Sequence, residues 1–241
     1  MYCIANELQT AVASTSEDSD YPDDNLLDER PKKLFKAVSG VSPVTITLSI
    51  AAGSNIAALL YTNADSAVIT IKDSGASTIE TKTYSSLTSR NKKSMFCKYA
   101  TESGTATAEF ALTKASGQIE AGIARAGLVD TIKDPKYDMQ EGRNDLSVEK
   151  ILAGGGHYYK KRDILKTFSG QIGLKRTTDA LYEYLQDIAD ELGPTPAVWI
   201  IDDGVLSWAN IVWAKLDVKS ATATYRSRNY AVCNFKIEEV L

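Results

Sequence analysis

The chain has 241 residues, 44% hydrophobic and 24% charged, with 27 Lys and Arg against 31 Asp and Glu and a formal net charge of -4. That length can bury one large core or two modest ones without disulfide or metal staples, and the acidic balance excludes a broad basic field of the kind that grips nucleic acid. Three cysteines, Cys3, Cys97 and Cys233, are odd in number with no close pair, which suggests neither a Cys-x-x-Cys metal site nor a disulfide framework and reads as reduced, mostly buried thiols of an intracellularly folded protein.

The chain opens Met-Tyr-Cys-Ile, with no basic region or apolar run of signal-peptide length, and nowhere carries the roughly 18 apolar residues that span a bilayer. The expectation is a protein with no signal and no membrane span. From Ser16 to Lys36 the sequence SEDSDYPDDNLLDERPKKLFK reads as a long, acidic lead-in loop with a basic end. It runs into VTITLSI, Val44 to Ile50, whose Val44, Ile46, Leu48 and Ile50 alternate with Thr and Ser, the pattern of a strand with one wet face. Gly53, Ser54 and Asn55 make a turn. Asn55 to Thr62 is almost continuously apolar, as in a strand covered on both sides, and Ala67, Ile69 and Ile71 alternate again before the turn at Asp73 to Gly75. Thr78 to Tyr84, Met95 to Tyr99, Thr107 to Leu112 and Gln118 to Arg125 supply further short strands. Many short strands between Ser, Gly, Asn and Asp turns predict a β-sandwich over residues 1–128.

Val129 to Gly156 is turn-rich, with Asp134 to Asp138, Glu141 to Asp145 and three consecutive glycines, Gly154 to Gly156. It reads as a long loop of the kind that mediates contacts, and the domain boundary is placed there. The C-terminal part, 129–241, contains one convincing helix. Thr177 or Thr178 offers an N-cap, Asp179 and Glu183 suit the positive end of the dipole, and Leu181, Tyr184, Leu185, Ile188 and Leu192 share a face until Gly193 and Pro194 end it. Ala197 to Ile201 then reads as a buried strand, Asp202 to Gly204 as a hairpin turn, Ser207 to Val218 as a second strand, and Cys233, Phe235 and Ile237 as the buried face of the last. The predicted fold is mainly β: an N-terminal jelly-roll sandwich, then an α+β part with one helix packed on a small antiparallel sheet.

Chemistry-bearing motifs are sparse. His157 is the only histidine, which removes two-histidine zinc sites and leaves at best one nucleophile–histidine pair; its loop context favours a surface role. Gly154 to Gly156 lacks the Gly-x-x-x-x-Gly-Lys-Ser/Thr or Gly-x-Gly-x-x-Gly frame of a phosphate cradle. Asp18, Asp20, Asp23, Asp24 and Asp28 could offer oxygen ligands to a calcium ion, but they lack EF-hand spacing, and a solvated turn accounts for them better. Asp202 and Asp203 read as a turn because neighbouring carboxylates on a strand point to opposite faces. The short basic clusters, Lys32 and Lys33, Arg90 with Lys92 and Lys93, and Lys160 to Arg162, read as solvated loops. Trp199, Trp208, Trp213, Tyr225 and Tyr230 gather in the last quarter, where core packing competes with subunit interface or sugar platform. The expectation is a non-enzyme, with no catalytic, cofactor-binding or metal residue and no cofactor assigned.

Four stretches carry a resemblance: YPDDNLLDERPKKLFKA before VTITLSI, the strand pair NIAALLYTNADSAVITI, GIARAG from Gly122 to Gly127, and Lys175 to Gln186 followed by GPTPAVWIIDD. In this order they resemble tailed-bacteriophage minor structural proteins with a discoidin-like, galactose-binding-like jelly roll, and the closing helix and hairpin are similar to those of distal-tail and tail-tip adaptor proteins. The resemblance implies a structural virion protein of a tail tip or baseplate, made in the host cytoplasm. It would form a homo-oligomeric ring between tail tube and distal components, with other tail proteins as partners and the 129–156 loop and Lys160 to Arg162 as contact elements. The alternative is a carbohydrate-binding module that recognises a bacterial surface glycan, with Tyr21, Tyr84 or Phe35 as stacking surfaces.

Overall fold

A computed structural model describes residues 1–85, 87, 93–132, 139–151, 157–175, 181–201, 211–221, 223–227 and 230–240. The strands are β1 (Tyr2–Glu7), β2 (Gln9–Ser14), β3 (Phe35–Lys36), β4 (Val44–Ile50), β5 (Ile56–Thr62), β6 (Ser66–Lys72), β7 (Thr78–Tyr84), β8 (Lys93–Lys98), β9 (Ala106–Thr113), β10 (Glu120–Ala121), β11 (Ile123–Thr131), β12 (Gln140–Asp145), β13 (Val148–Ile151), β14 (His157–Lys160), β15 (Ile164–Lys175), β16 (Ala197–Ile200), β17 (Ile211–Leu216), β18 (Ala223–Ser227) and β19 (Tyr230–Glu239). The one α-helix among the described residues is α1 (Leu181–Leu192). The chain forms two compact units, Met1–Thr131 with Ala197–Trp213, and Ile132–Pro196 with Ala214–Leu241.

The first unit is a β-sandwich. One sheet has the order β2-β4-β9-β6-β7, and the strands facing it run β16-β1-β11-β5-β8, all antiparallel. Period-two alternation builds its core. Val44, Ile46, Leu48 and Ile50 of β4 point inward with Ala108, Phe110 and Leu112 of β9 and Ile69 and Ile71 of β6, while the Thr and Ser between them stay half-exposed. Each such Leu, Ile or Phe contributes about 1.5–3 kcal/mol by leaving water. β5 is buried at every position, as its unbroken apolar run predicts. Ala197 to Ile200, expected in the C-terminal part, instead pairs with β1 of the first unit.

In the second unit β12 pairs with β15, β15 with β19, and β18 and residues 214–216 also with β19. β13 and β14 form a separate two-stranded hairpin. The stretch read as a long loop from Val129 to Gly156 therefore holds the end of β11 and two further strands. Its polar turn-like residues, Glu141 to Asp145, are drawn into a strand because every one of them finds a partner on β15. Helix α1 buries Leu185, Ile188, Ala189 and Leu192 and ends where the Gly193 N–H bonds the Ala189 carbonyl at 2.9 Å, with Gly193 at φ 52°. The N-cap threonines, the three-glycine run, the turn at Asp202 to Gly204, Asp134 to Asp138, Arg90 and Lys92 lie outside the described residues, as does Trp208. All three cysteines are buried and none is in a disulfide, and burial pushes the Cys97 thiol up to about 11. Among the described residues, no helix is long and apolar enough to cross a membrane.

One position of the GIARAG stretch is fixed by close backbone approach. A Cβ added at Gly127 would stand 2.0 Å from the Asn6 carbonyl oxygen, where β1 presses onto β11 beside a register shift between Cys3 and Asn6. Any side chain there must push β1 away. Gly127→Ala is expected to cost about 1–3 kcal/mol by overpacking, read from the denaturant midpoint; unchanged stability would contradict the packing described.

Candidate binding corner of the first unit

The strongest polar feature of the first unit is a buried cation. Arg125, 2% exposed, sits in β11 between Ala124 and Ala126. Its Nε donates to Glu7 Oε1 at 2.8 Å, Nη1 to the carbonyls of Leu26 (3.0 Å) and Ala124 (2.9 Å), and Nη2 to those of Leu27 (3.1 Å) and Asp28 (3.4 Å). The Trp213 ring lies 4.8 Å from the guanidinium, and its indole N–H donates to the Glu29 carbonyl at 2.9 Å. Four consecutive carbonyls, Leu26 to Glu29, are thus gathered at the end of the short 3₁₀ turn Asp23–Leu27. A planar five-donor fork suits this task, and a lysine ammonium does not.

The anchored lead-in loop continues into an open corner. Tyr21 N–H donates to the Asp18 carbonyl (2.8 Å), Lys36 N–H to that of Tyr21 (3.1 Å), and Asp18 N–H to that of Lys36 (2.8 Å). The Lys36 ammonium lies 4.1 Å from the centre of the Tyr21 ring, which stays 38% exposed, and 3.4 Å from Glu120 Oε1. The Gln118 amide donates to Asp18 Oδ2 (3.2 Å) and to the Ala37 carbonyl (2.6 Å). Val38 and Val41 of the same loop are exposed. An aromatic ring, a cation, two carboxylates and an amide therefore share one fixed surface.

The remaining sequence candidates scatter. Phe35 is fully buried and cannot stack on a ligand. Tyr84 hydrogen-bonds the Phe96 backbone through its hydroxyl at 2.7 Å, and burial pushes its pKa up to about 12. Trp199 and Trp213 are core residues, 0% and 1% exposed; the side chains of Tyr225 and Tyr230 are outside the described residues. Asp18 Oδ1 accepts the Asp20 N–H, the Asp23 N–H donates to Glu17, and Asp28 is held well below the ordinary carboxylate range, chiefly by its hydrogen bonds with Arg30. Burial, with Glu17 beside it, raises Asp23. Among the described residues no group of three His, Cys, Asp or Glu stands close enough to hold a metal ion. His157 is exposed on β14, its Nδ1 3.2 Å from Glu149 Oε1, and Lys160 to Arg162 are exposed beside it.

Sequence reading missed Arg125, Lys36 and Gln118. A signal existed for the first: a lone arginine inside an otherwise small and apolar strand demands a buried partner set.

The family model described as XRCC1 N terminal domain matches residues 4–115. No curated protein matches the chain. Among solved structures, the chain is similar to chitosan-binding module 1 of a chitosanase/glucanase from Paenibacillus sp. IK-5, at TM-score 0.40 and 12% identity over 51% of this chain and 97% of that one. It is similar to the family 32 carbohydrate-binding module of Clostridium perfringens NanJ in complex with galactose, at 0.42 and 10% over 54% and 100%. It is also similar to the lectin binding domain of Lectinolysin complexed with Lewis b, at 0.37 and 7% over 49% and 91%. None of these is a phage tail protein, and the tail-adaptor expectation gains no support from them.

Arg125→Met removes the fork while keeping the stem, and leaves the Leu26 to Asp28 carbonyls and Glu7 without their donor. The expected loss is about 3–5 kcal/mol, as for one partner taken from a buried charged network, with Arg125→Lys recovering less than half in equilibrium unfolding. A Lys variant as stable as the wild type would show that charge alone suffices.

Proposed function

We propose that the chain is a non-catalytic binding protein whose first unit recognises a glycan through the Tyr21 corner. The supporting observation is the Tyr21 ring, exposed while its backbone is tied at N–H and carbonyl, beside Asp18, Gln118, Lys36 and Glu120. A sugar presents an apolar C–H face and a rim of hydroxyls. The ring takes the face, and carboxylate and amide oxygens and N–H groups take the rim. Because the loop is held by Arg125 and Trp213, binding requires little ordering of the chain. The chitosan- and galactose-binding modules carry the same ligand class, but the weight lies on Tyr21 and its neighbours.

Assembly into a phage tail ring is the second reading. Its physical support is the β13–β14 hairpin, which leaves Ile151 73%, Tyr159 60% and Tyr158 49% exposed, a surface suited to a protein partner.

The test is a glycan array on the full chain, followed by calorimetric titration of the best glycan and light scattering of the same sample. Tyr21→Ala is expected to weaken binding at least about tenfold, a loss of roughly 1.4 kcal/mol, with unchanged melting. Wild-type affinity in Tyr21→Ala, or no bound glycan, would overturn the glycan reading, and a discrete ring-sized particle would put assembly first.

A further inference from the structure

The second unit carries a hollow of about 370 Å³ on the wet face of its three-stranded core, bounded by β12, β15, β19 and the turn after β17. Strand register puts its polar side chains in two rows. Gln140 pairs with Ser169 and Ser169 with Lys236 in one row; Gln171 pairs with Asn234 in the next. Residues two apart on a strand share a face, so Ser169 with Gln171, and Asn234 with Lys236, point the same way. Their intervening neighbours Phe168, Ile172, Cys233, Phe235 and Ile237 are buried on the other side. Ser220 closes the edge from a turn tied to β19 by the Asp217 N–H, which donates to the Lys236 carbonyl at 2.8 Å.

We propose that this hollow is a second binding site, for a small neutral polyhydroxylated ligand. No described residue hydrogen-bonds the side chains of Gln140, Ser169, Gln171 or Asn234, and the last three are half-buried. Each amide carries two donors and an acceptor oxygen, and the serine carries one of each. A ligand that satisfies such a set must donate and accept on neighbouring atoms, as adjacent hydroxyls do. An anion would match the N–H groups and face the amide oxygens with like charge; a cation would do the reverse. Lys236, the one cation among the described lining residues, is already matched, since its Nζ lies 2.5 Å from Glu238 Oε1, and that partner raises the lysine pKa. Among the described lining residues the one aromatic, Phe235, is 2% exposed, so hydrogen bonding carries recognition. The ligand class follows from these amides and is independent of the Tyr21 corner.

The experiment is an amide-resolved NMR titration of the full chain with lactose, chitobiose and, as the charged comparison, galacturonic acid. The expected result is saturable shifts at Ser169 to Gln171 and Asn234 to Lys236 with a neutral sugar. Gln171→Ala and Asn234→Ala should each weaken it about tenfold, the cost of amide hydrogen bonds lost without replacement, and Tyr21→Ala should leave it intact. Silence at these strands with every sugar, tighter binding of galacturonate, or wild-type affinity in both alanine variants would overturn the proposal. Loss of the shifts in Tyr21→Ala would show that the response belongs to the first unit's site.

Discussion

The guanidinium of Arg125 is the interaction on which the first unit's surface depends. A charged group in a strand buried on both faces is tolerated only when its donors are matched and its position is fixed. Here the matching acceptors are carbonyls of a loop that has almost no regular structure of its own. The strand gains a satisfied cation, and the loop gains an anchor that its own sequence could not supply. Trp213 extends the arrangement by covering the guanidinium and taking the next carbonyl, while its backbone N–H donates to the Tyr61 hydroxyl at 3.1 Å.

Function, on this account, is built outward from that anchor. The sandwich core is ordinary: alternating Val, Ile, Leu and Phe in β4, β6 and β9 against a fully buried β5. Burial raises the pKa of the Cys97 thiol within that core. What differs between one sandwich and another is the loops, and here a long loop is hydrogen-bonded where it meets Arg125 and exposed where it carries Tyr21. The second unit solves the same problem differently, placing its polar groups on strands whose register brings amides side by side.

Much of the architecture was legible in the sequence because it rests on period. Val44–Ile50 and Thr78–Tyr84 fall where alternation places them, and α1 stops at Gly193. β1, β2 and β15 were not legible. YCIANE and QTAVAS mix small and polar residues without strict alternation, and β15 carries Gly170 and Gly173, so pairing rather than pattern makes them strands. The 129–156 stretch misled for the converse reason, since turn-forming residues were held in strands by long-range partners. At the site, exposure separated Tyr21 from Phe35, and no spacing rule distinguishes an aromatic that faces the core from one at a loop corner. GIARAG was visible as a motif, but its meaning lies in three-dimensional neighbours: the Asn6 carbonyl against Gly127 and the loop carbonyls around Arg125.

The central claim is that Arg125 orders the loop that presents Tyr21, and native-state hydrogen exchange of Arg125→Met against wild type tests it most directly. With both proteins folded, the account predicts that the amides of Asp18, Tyr21, Asn25 and Lys36, each bonded within the loop network, lose protection while those of β4 and β9 keep theirs beyond the global loss of stability. Equal loss across the loop and the sandwich, or an undisturbed loop, would contradict it.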